Sequence, residues 1–330
     1  KLNQKFKYIV IFPTDDLQVE NLHSIYSEVS QFCYIPFNYK NIINSLNKFF
    51  QYQTCQKIGV PYPKTINISQ KEHLEKLNKL SFPLLIKPST RQDIRVDKFD
   101  VFRTLYLESY SDYIASKTKL INLIGKGIKL IISEFIPGDD TNIYAYTCFR
   151  SNEGEILNEW SGKKLTQYPD NYGIFCSASN EAPDEVMHLG RLLVNELNAY
   201  GIVQPEFKYD FRDSKFKLME VNLRSMMWHR TGSISGVKLH KTQFNYAVGK
   251  DIQKYKQIKS KNIHLVLMLH EIPNLISRKG YLKNFLYNIF RADKRFWAIF
   301  EFRDFFPFLY SLHLLFKKVT LACLKRFGLH

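Results

Sequence analysis

Apolar positions along this chain fall into short continuous runs, helical repeats and alternating stretches, and each predicts a different kind of element. Tyr8 to Pro13 is a continuous run closed by Thr14-Asp15-Asp16, which reads as a buried strand and a turn. A helix through roughly Val19 to Val29 leads to a second short strand near Phe32 to Ile35. Strand, helix, strand predicts a small α/β lobe with parallel pairing. A helical run from about Ile42 to Ile58 is stopped by Gly59-Val60-Pro61. Strands follow at Leu84 to Lys87, closed by Pro88, and at Lys129 to Phe135, closed by Pro137-Gly138-Asp139-Asp140.

Further on, Tyr144 to Arg150 and Glu155 to Trp160 flank Asn152-Glu153-Gly154, a hairpin signal. Val186, Leu189, Leu193 and Leu197 mark a helix within Pro183 to Tyr200, with Gly201 placed to end it. Gly201 to Asp210 and Lys215 to Arg224 form a second hairpin around Phe211 to Ser214. Beyond residue 250 the chain turns basic and aromatic, and no internal repeat or low-complexity linker is visible. The predicted class is α/β: an α+β centre with antiparallel sheets, preceded by a partial α/β lobe.

The chain has 330 residues, 45% of them hydrophobic, enough for two or three packed lobes. Five scattered cysteines (Cys33, Cys55, Cys148, Cys176, Cys323) suggest neither a disulfide framework nor a zinc site, and point to a reducing compartment. The most apolar stretch, Phe305 to Phe316, contains Pro307 and His313 and falls short of the roughly 20 residues a spanning helix needs. With no secretory signal at the start, a cytoplasmic location is expected. The chain opens on Lys1 rather than Met, and its front lobe is short, so a fragment or a processed product is expected. A net charge of +16 favours anionic partners, although a basic surface can equally serve solubility. The basic residues are dispersed and form no DNA- or RNA-binding motif, so nucleic acid is not an expected partner.

The most informative stretch is Gly201 to Ser225. Residues two apart on a strand share a face, which groups Glu206 with Lys208 and Asp210, and Glu220 with Asn222 and Arg224. A turn of three or five residues would set Glu206 directly opposite Glu220, with side chains about 5 Å apart. Two carboxylates that close repel unless one holds a proton or a cation lies between them. With the Asn222 carbonyl they make a set of hard oxygens suited to one or two Mg²⁺ ions, and Arg224 adds a fork of donors for a phosphoryl group. The competing reading is the solvated polar face of an ordinary hairpin.

Glu206 followed by Glu220-Val221-Asn222-Leu223-Arg224 resembles the Mg²⁺-binding hairpin of ATP-grasp enzymes. The wider string around it is similar to the carboxylate–amine ligase branch that contains D-aspartate ligases. Three further stretches fit in the same order. Asn47-Lys48 with Gly59 to Thr65 resembles a segment whose lysine touches ATP phosphates, which implies that role for Lys48; Asn47 stands where the family usually has Asp. Pro83-Leu84-Leu85-Ile86-Lys87-Pro88 resembles the strand whose lysine meets the α- or β-phosphate and the adenine edge, which implies a catalytic and ATP-binding Lys87. Ile131 to Asp140 looks like the hinge between the two lobes. There the backbone at Phe135 and Ile136 would pair with adenine, and Glu134 would meet its amino group. Asp139 or Asp140 would take the ribose hydroxyls, or both are simply turn formers after Gly138.

The resemblance covers about Tyr8 to Gly249. It implies a partial front lobe over 1–45, ATP-grasp lobes over 46–135 and 136–250, and a basic aromatic helical region over 251–330. Lys163, Lys164 and Gln167 resemble a basic segment that holds a carboxylate substrate or a phosphate, unless they are a plain charged strand end. The loop after Lys87 lacks the glycine that many relatives use, and Arg95 and Lys98 would replace its backbone amides with charge. Trp228 and His229 would line an acceptor pocket, with a structural role the stronger expectation for His229.

The implied activity is Mg²⁺-dependent ligation. ATP phosphorylates a small carboxylate, and an amine then displaces phosphate from the acyl phosphate to give an amide. The metal would be held by Glu206, Glu220 and Asn222, and phosphate charge offset by Lys48, Lys87 and Arg224. The alternatives are a nucleotide-binding protein without turnover and the same chemistry with a thiol or peptide acceptor. For 281–326, a packed helical layer is the expectation, and contact with an anionic membrane surface is the alternative.

Overall fold

A computed structural model of the protein describes residues 5–89, 102, 104–168 and 173–326. At the front, Asp15 caps the helix Asp16–Ser24 by accepting from Leu17 N, and a short second helix, Tyr26–Val29, follows. The single helix expected there is thus interrupted at Ile25. The two flanking segments, expected as strands and the first as buried, form no strand and stay partly exposed; they meet only in one isolated parallel bridge, Val10 with Tyr34, through Tyr34 N to Ile9 O at 2.8 Å and Ile11 N to Tyr34 O at 3.1 Å. Pro36 has no N–H to carry the ladder further.

The helical run from Ile42 is likewise split. Asn47 accepts from Phe49 N at 2.9 Å and Phe50 N at 3.2 Å, so it ends Ile42–Leu46 and caps Lys48–Ile58. Lys48 therefore opens a helix instead of lying inside one. Gly59, at φ 74°, closes that helix in the left-handed conformation that glycine adopts without cost.

Strands β1 (Thr65–Ile68), β2 (Leu84–Pro88), β3 (Leu105–Leu107) and β4 (Leu130–Glu134) form an antiparallel sheet in the order β1-β4-β2-β3. The helix Tyr110–Gly125, begun by a Ser109/Asp112 capping box, packs on it through Leu120 and Leu123. Strand alternation then decides the chemistry of the opposite face. Leu84 and Ile86 are buried in this core, while Leu85 and Lys87 turn to the cleft between the lobes.

The larger sheet contains β5 (Ile143–Arg150), β6 (Ile156–Tyr168), β7 (Ile174–Ser179), β8 (Gly201–Asp210), β9 (Lys215–Asn222), β10 (Ile263–Val266) and β11 (Lys294–Trp297). Its order is β11-β10-β7-β6-β5-β8-β9, antiparallel except for the β10–β11 pair. The helix Asp184–Glu196 covers one face through Val186, Leu189 and Leu193. Gly190 on that helix lies against Tyr146 so closely that an added Cβ would stand 2.3 Å from the ring. On another core, Trp160, Trp228 and Phe149 are fully buried. The region 251–330, expected to be helical, contains the helices Met268–Ser277, Tyr281–Arg291 and Phe306–Arg326 and also supplies β10 and β11 to the larger sheet. No helix among the described residues is long and apolar enough to cross a membrane.

Gly201 does not end the preceding helix, which stops at Glu196 with Asn198 in the left-handed region at φ 46°. Instead Gly201, at φ 81°, opens β8 where an added Cβ would lie 2.1 Å from the Pro36 carbonyl oxygen. Gly201→Ala therefore meets both a conformational penalty and a backbone clash. It should destabilise the protein by about 2 kcal/mol or more, read as a lower midpoint in thermal or urea unfolding. An unchanged midpoint would contradict the close approach.

Candidate active site

The β8–β9 turn is four residues, Phe211 to Ser214, and an unbroken ladder from Asp210 opposite Lys215 would bring Glu206 opposite Met219. The pairing holds as far as Phe207 with Leu218. A bulge at that point then takes up one residue, so that Glu206 faces Glu220 and Gln204 faces Asn222. The opposition expected from an odd turn is therefore produced by an even turn and a bulge. Glu206 and Asn222 are buried, whereas the Glu220 side chain keeps 32% of its surface.

Three lysines from three different elements surround this pair in the cleft. Lys48 Nζ lies 2.5 Å from Glu220 Oε2, and Lys164 Nζ, from β6, lies 2.8 Å from Glu206 Oε2. Lys87 lines the same cleft from β2. The charge of Lys48, reinforced by Lys87 and Lys164 and opposed by burial, holds the Glu220 carboxyl far below the usual carboxylate range. Burial alone would lower the Lys164 ammonium, but Glu206, with help from Glu220 and Asp140, raises it above its ordinary value. Glu220 is thus held ionised, and fixed charges of both signs crowd the cleft.

Behind the pair runs a buried polar chain. Glu206 Oε1 accepts from Gln204 Nε2 at 2.8 Å and from Asn222 Nδ2 at 3.4 Å. Gln204 Oε1 in turn meets His229 Nε2 at 2.7 Å and Thr147 Oγ1 at 3.2 Å. Burial, with His240 and Arg224 nearby, pushes His229 well below its ordinary pKa, so it stays neutral and donates to Gln204. His229 supports Glu206 from behind, and neither it nor Trp228, packed on Trp160, lines the cleft.

The donor set fits a hard divalent cation: two opposed carboxyl groups and an amide carbonyl, with none of the soft ligands that would select another metal. Among the described residues no group of three or more His, Cys, Asp or Glu is placed to hold a metal ion, so a cation here would rest on two carboxyl groups and the Asn222 amide.

Not every expected residue converges here. Arg224 is buried and donates from Nε to Asp16, and its Nη1 reaches Thr14 O at 3.3 Å. It touches the set only through Nη2 to Asn222 Oδ1 at 3.4 Å, and it does not line the cleft. The arginine expected to face phosphate is here paired with an acid from the front lobe. Lys163 is set aside by strand alternation. It lies over the Tyr144 ring at 5.7 Å, near Glu181, while its neighbours Lys164 and Gln167 enter the cleft.

At the hinge, Glu134, Phe135 and Ile136 all line the cleft. The Glu134 carboxylate accepts from Ser81 N at 2.9 Å, so it serves the backbone of its own lobe. Phe135 donates from N to Pro83 O at 2.9 Å and accepts at O from Arg212 Nη2 at 3.2 Å. Ile136 carries none of these bonds. Asp139 accepts from Thr141 N and Oγ1, as a turn former does, and the buried Asp140 accepts from Gln167 N at 3.1 Å. Neither aspartate lines the cleft: Asp139 bonds as a turn former, whereas the Asp140 carboxylate ties the turn to β6 and to Arg278, 3.7 Å away. Arg95 and Lys98 lie outside the described residues.

Two cleft residues had no clear signal. Lys208 reaches over the Phe135 ring at 4.9 Å, an apolar and charged wall together. Tyr52 donates to Met219 O at 2.9 Å, pinning the bulge itself. The alternation of β8 placed Lys208 beside Glu206 on one face; only the fold reveals what lies across from it.

A small antiparallel sheet facing a larger one across a cleft of lysines and carboxylates is the ATP-grasp arrangement, and the protein has the ATP-grasp fold. It is similar to N5-carboxyaminoimidazole ribonucleotide synthetase in its ADP complex, with TM-score 0.57, 16% identity, and coverage of 77% of this chain and 65% of that one. It is also similar to biotin carboxylase from Campylobacter jejuni, with TM-score 0.60, 14% identity, and coverage of 75% and 57%. In sequence the chain is similar to D-aspartate ligase of Enterococcus faecium (strain Aus0004), 23% identical over 234 residues. That match takes in 68% of this chain and 55% of the ligase, so the chain spans about half the length of this curated relative. No family model matches the chain.

The electrostatic account makes a signed prediction. Because Glu220 is depressed in the folded state, its contribution to stability is present above the unfolded carboxylate value of about 4.3 and is lost as pH falls through the lower folded value. Lys48→Met removes the leading cause of the depression. It should therefore move acid unfolding, followed by circular dichroism, to higher pH than in the parent protein. Superimposable acid curves would contradict the Lys48–Glu220 pairing.

Proposed function

We propose that the protein is an ATP-dependent ligase that joins a small carboxylate to an amine through an acyl phosphate. The observation that carries this reading is the opposed Glu206–Glu220 pair, ringed by Lys48, Lys87 and Lys164 in a cleft between two sheets. Such a ring of fixed cations suits a polyphosphate, and the central carboxylates suit the metal that accompanies it.

In this reading Glu206, Glu220 and Asn222 would hold Mg²⁺, which would supply positive charge to offset that of a nucleotide's phosphates. Nucleotide entry brings phosphate oxygens to the lysines, so Lys48 and Lys164 exchange their carboxylate partners for phosphates. The hinge strand receives the base, with the Ile136 backbone available to its edge and the Phe135 ring and Leu85 as apolar walls. Lys87 neutralises phosphate charge from the smaller sheet. Phosphoryl transfer to a substrate carboxylate needs no protein nucleophile, only alignment and charge compensation, and attack by an amine then releases phosphate. Arg224 acts by fixing Asn222 and docking the front lobe, as a positioning residue. The D-aspartate ligase likeness supports an amine acceptor and an amide product.

Phosphate release should depend on Mg²⁺ and rise when the correct carboxylate and amine are supplied together in a screen of amino acids and small acids. Glu220→Gln keeps the shape of the side chain and removes its charge, and should lower that turnover by about 100-fold or more. Turnover close to the parent rate in this variant would remove Glu220 from the metal site.

A further inference from the structure

The C-terminal helices pack on the larger sheet and still leave an unusual amount of apolar surface outside. The packing itself is firm. Tyr281 is buried and donates to Glu271 at 2.6 Å, and Glu271 accepts from Thr166 Oγ1 at 2.5 Å. Phe308, Ser311, Leu312 and Leu315 form one face of the Phe306–Arg326 helix and close an apolar cavity with Trp297 and Ile299. Yet Leu282, Leu286 and Phe290, one turn apart on the Tyr281–Arg291 helix, are exposed, Phe290 at 74%. Between the two helices Phe302 is 87% exposed, followed by Phe306 at 71% and by Leu309, Tyr310 and Phe316. These residues are held by an anchored scaffold, so their exposure is a property of a formed surface.

The charges interleaved with them select the partner. Within residues 276–317 the chain carries eight Lys and Arg against three acids, Asp293, Glu301 and Asp304. Two copies of so basic a face repel each other. Single-stranded nucleic acid would use the rings but has no use for Leu282, Leu286, Leu309 and Leu314, which offer no stacking face. An interface of acyl chains beneath anionic headgroups takes all three kinds of side chain: aliphatic groups in the hydrocarbon, aromatic rings at its edge, and Lys or Arg at the phosphates.

We propose that residues 276–317 form a docking surface for an anionic phospholipid bilayer, lying on the membrane without crossing it. The surface stands apart from the cleft and does not depend on the ligase reading. The test is sedimentation of the full chain with phosphatidylcholine vesicles and with vesicles containing phosphatidylglycerol. Binding should be at least tenfold stronger to the anionic vesicles and should weaken as salt is raised. Phe302→Ser/Phe306→Ser/Leu309→Ser and, separately, Arg303→Glu/Lys317→Glu should each lower it at least tenfold, with nucleotide binding in the cleft unchanged. The charge variant alters only solvent-facing side chains, so it keeps the test decisive if the apolar variant folds poorly. Equal binding to neutral vesicles, no binding, or insensitivity to the charge variant would overturn the proposal. So would a dimer in light scattering that the same substitutions dissolve, which would assign the surface to a second copy.

Discussion

Two like charges face each other across a pair of strands, and the site is organised to keep them there. Left alone, Glu206 and Glu220 would repel, and one would take up a proton. Lys48 pairs with Glu220 on one side and Lys164 with Glu206 on the other, and the Lys48 charge holds the Glu220 carboxyl ionised. This arrangement links every large part of the molecule: Lys48 comes from the helix before the small sheet, Lys87 from that sheet, Lys164 from the middle of the large sheet, and the acids from its edge hairpin. Both ion pairs and Lys87 line one cleft, where the proposed exchange of a carboxylate for a polyphosphate would take place.

The supporting layer explains why the pair is rigid. Glu206 is gripped by Gln204 and Asn222, and Gln204 by the neutral, buried His229. The bulge beside it is pinned by Tyr52. Arg224 belongs to this layer too, because Asp16 and Asn222 share its guanidinium. Substitutions in this layer are expected to act on how the acids are presented, which separates them from residues that touch a ligand.

Much of this was legible in the chain. The resemblance of Pro83 to Pro88 to a lysine-bearing strand singled out Lys87, and the spacing within Gly201 to Ser225 grouped the two acids, although their opposition rests on a bulge that the spacing does not show. The helix break at Asn47 was missed because the apolar pattern continues through it; only the capping bonds to Phe49 and Phe50 show that Lys48 begins a new element. Lys163 and Lys164 are adjacent and chemically identical, so choosing between them required the register of β6 against β5 and β7. The partner of Arg224 lies on a helix more than two hundred residues earlier, in a lobe whose strands are too short to announce where they dock. Local pattern fixes which face a side chain takes; what stands opposite is a matter of tertiary structure.

The central claim is that Glu206 and Glu220 hold a divalent cation together with ATP. Titration calorimetry of ATP binding, with and without Mg²⁺, on the parent protein and on Glu206→Gln tests it directly. The account predicts that Mg²⁺ strengthens ATP binding at least tenfold in the parent and that Glu206→Gln abolishes this gain. Equal strengthening in the two proteins, or none in the parent, would contradict it.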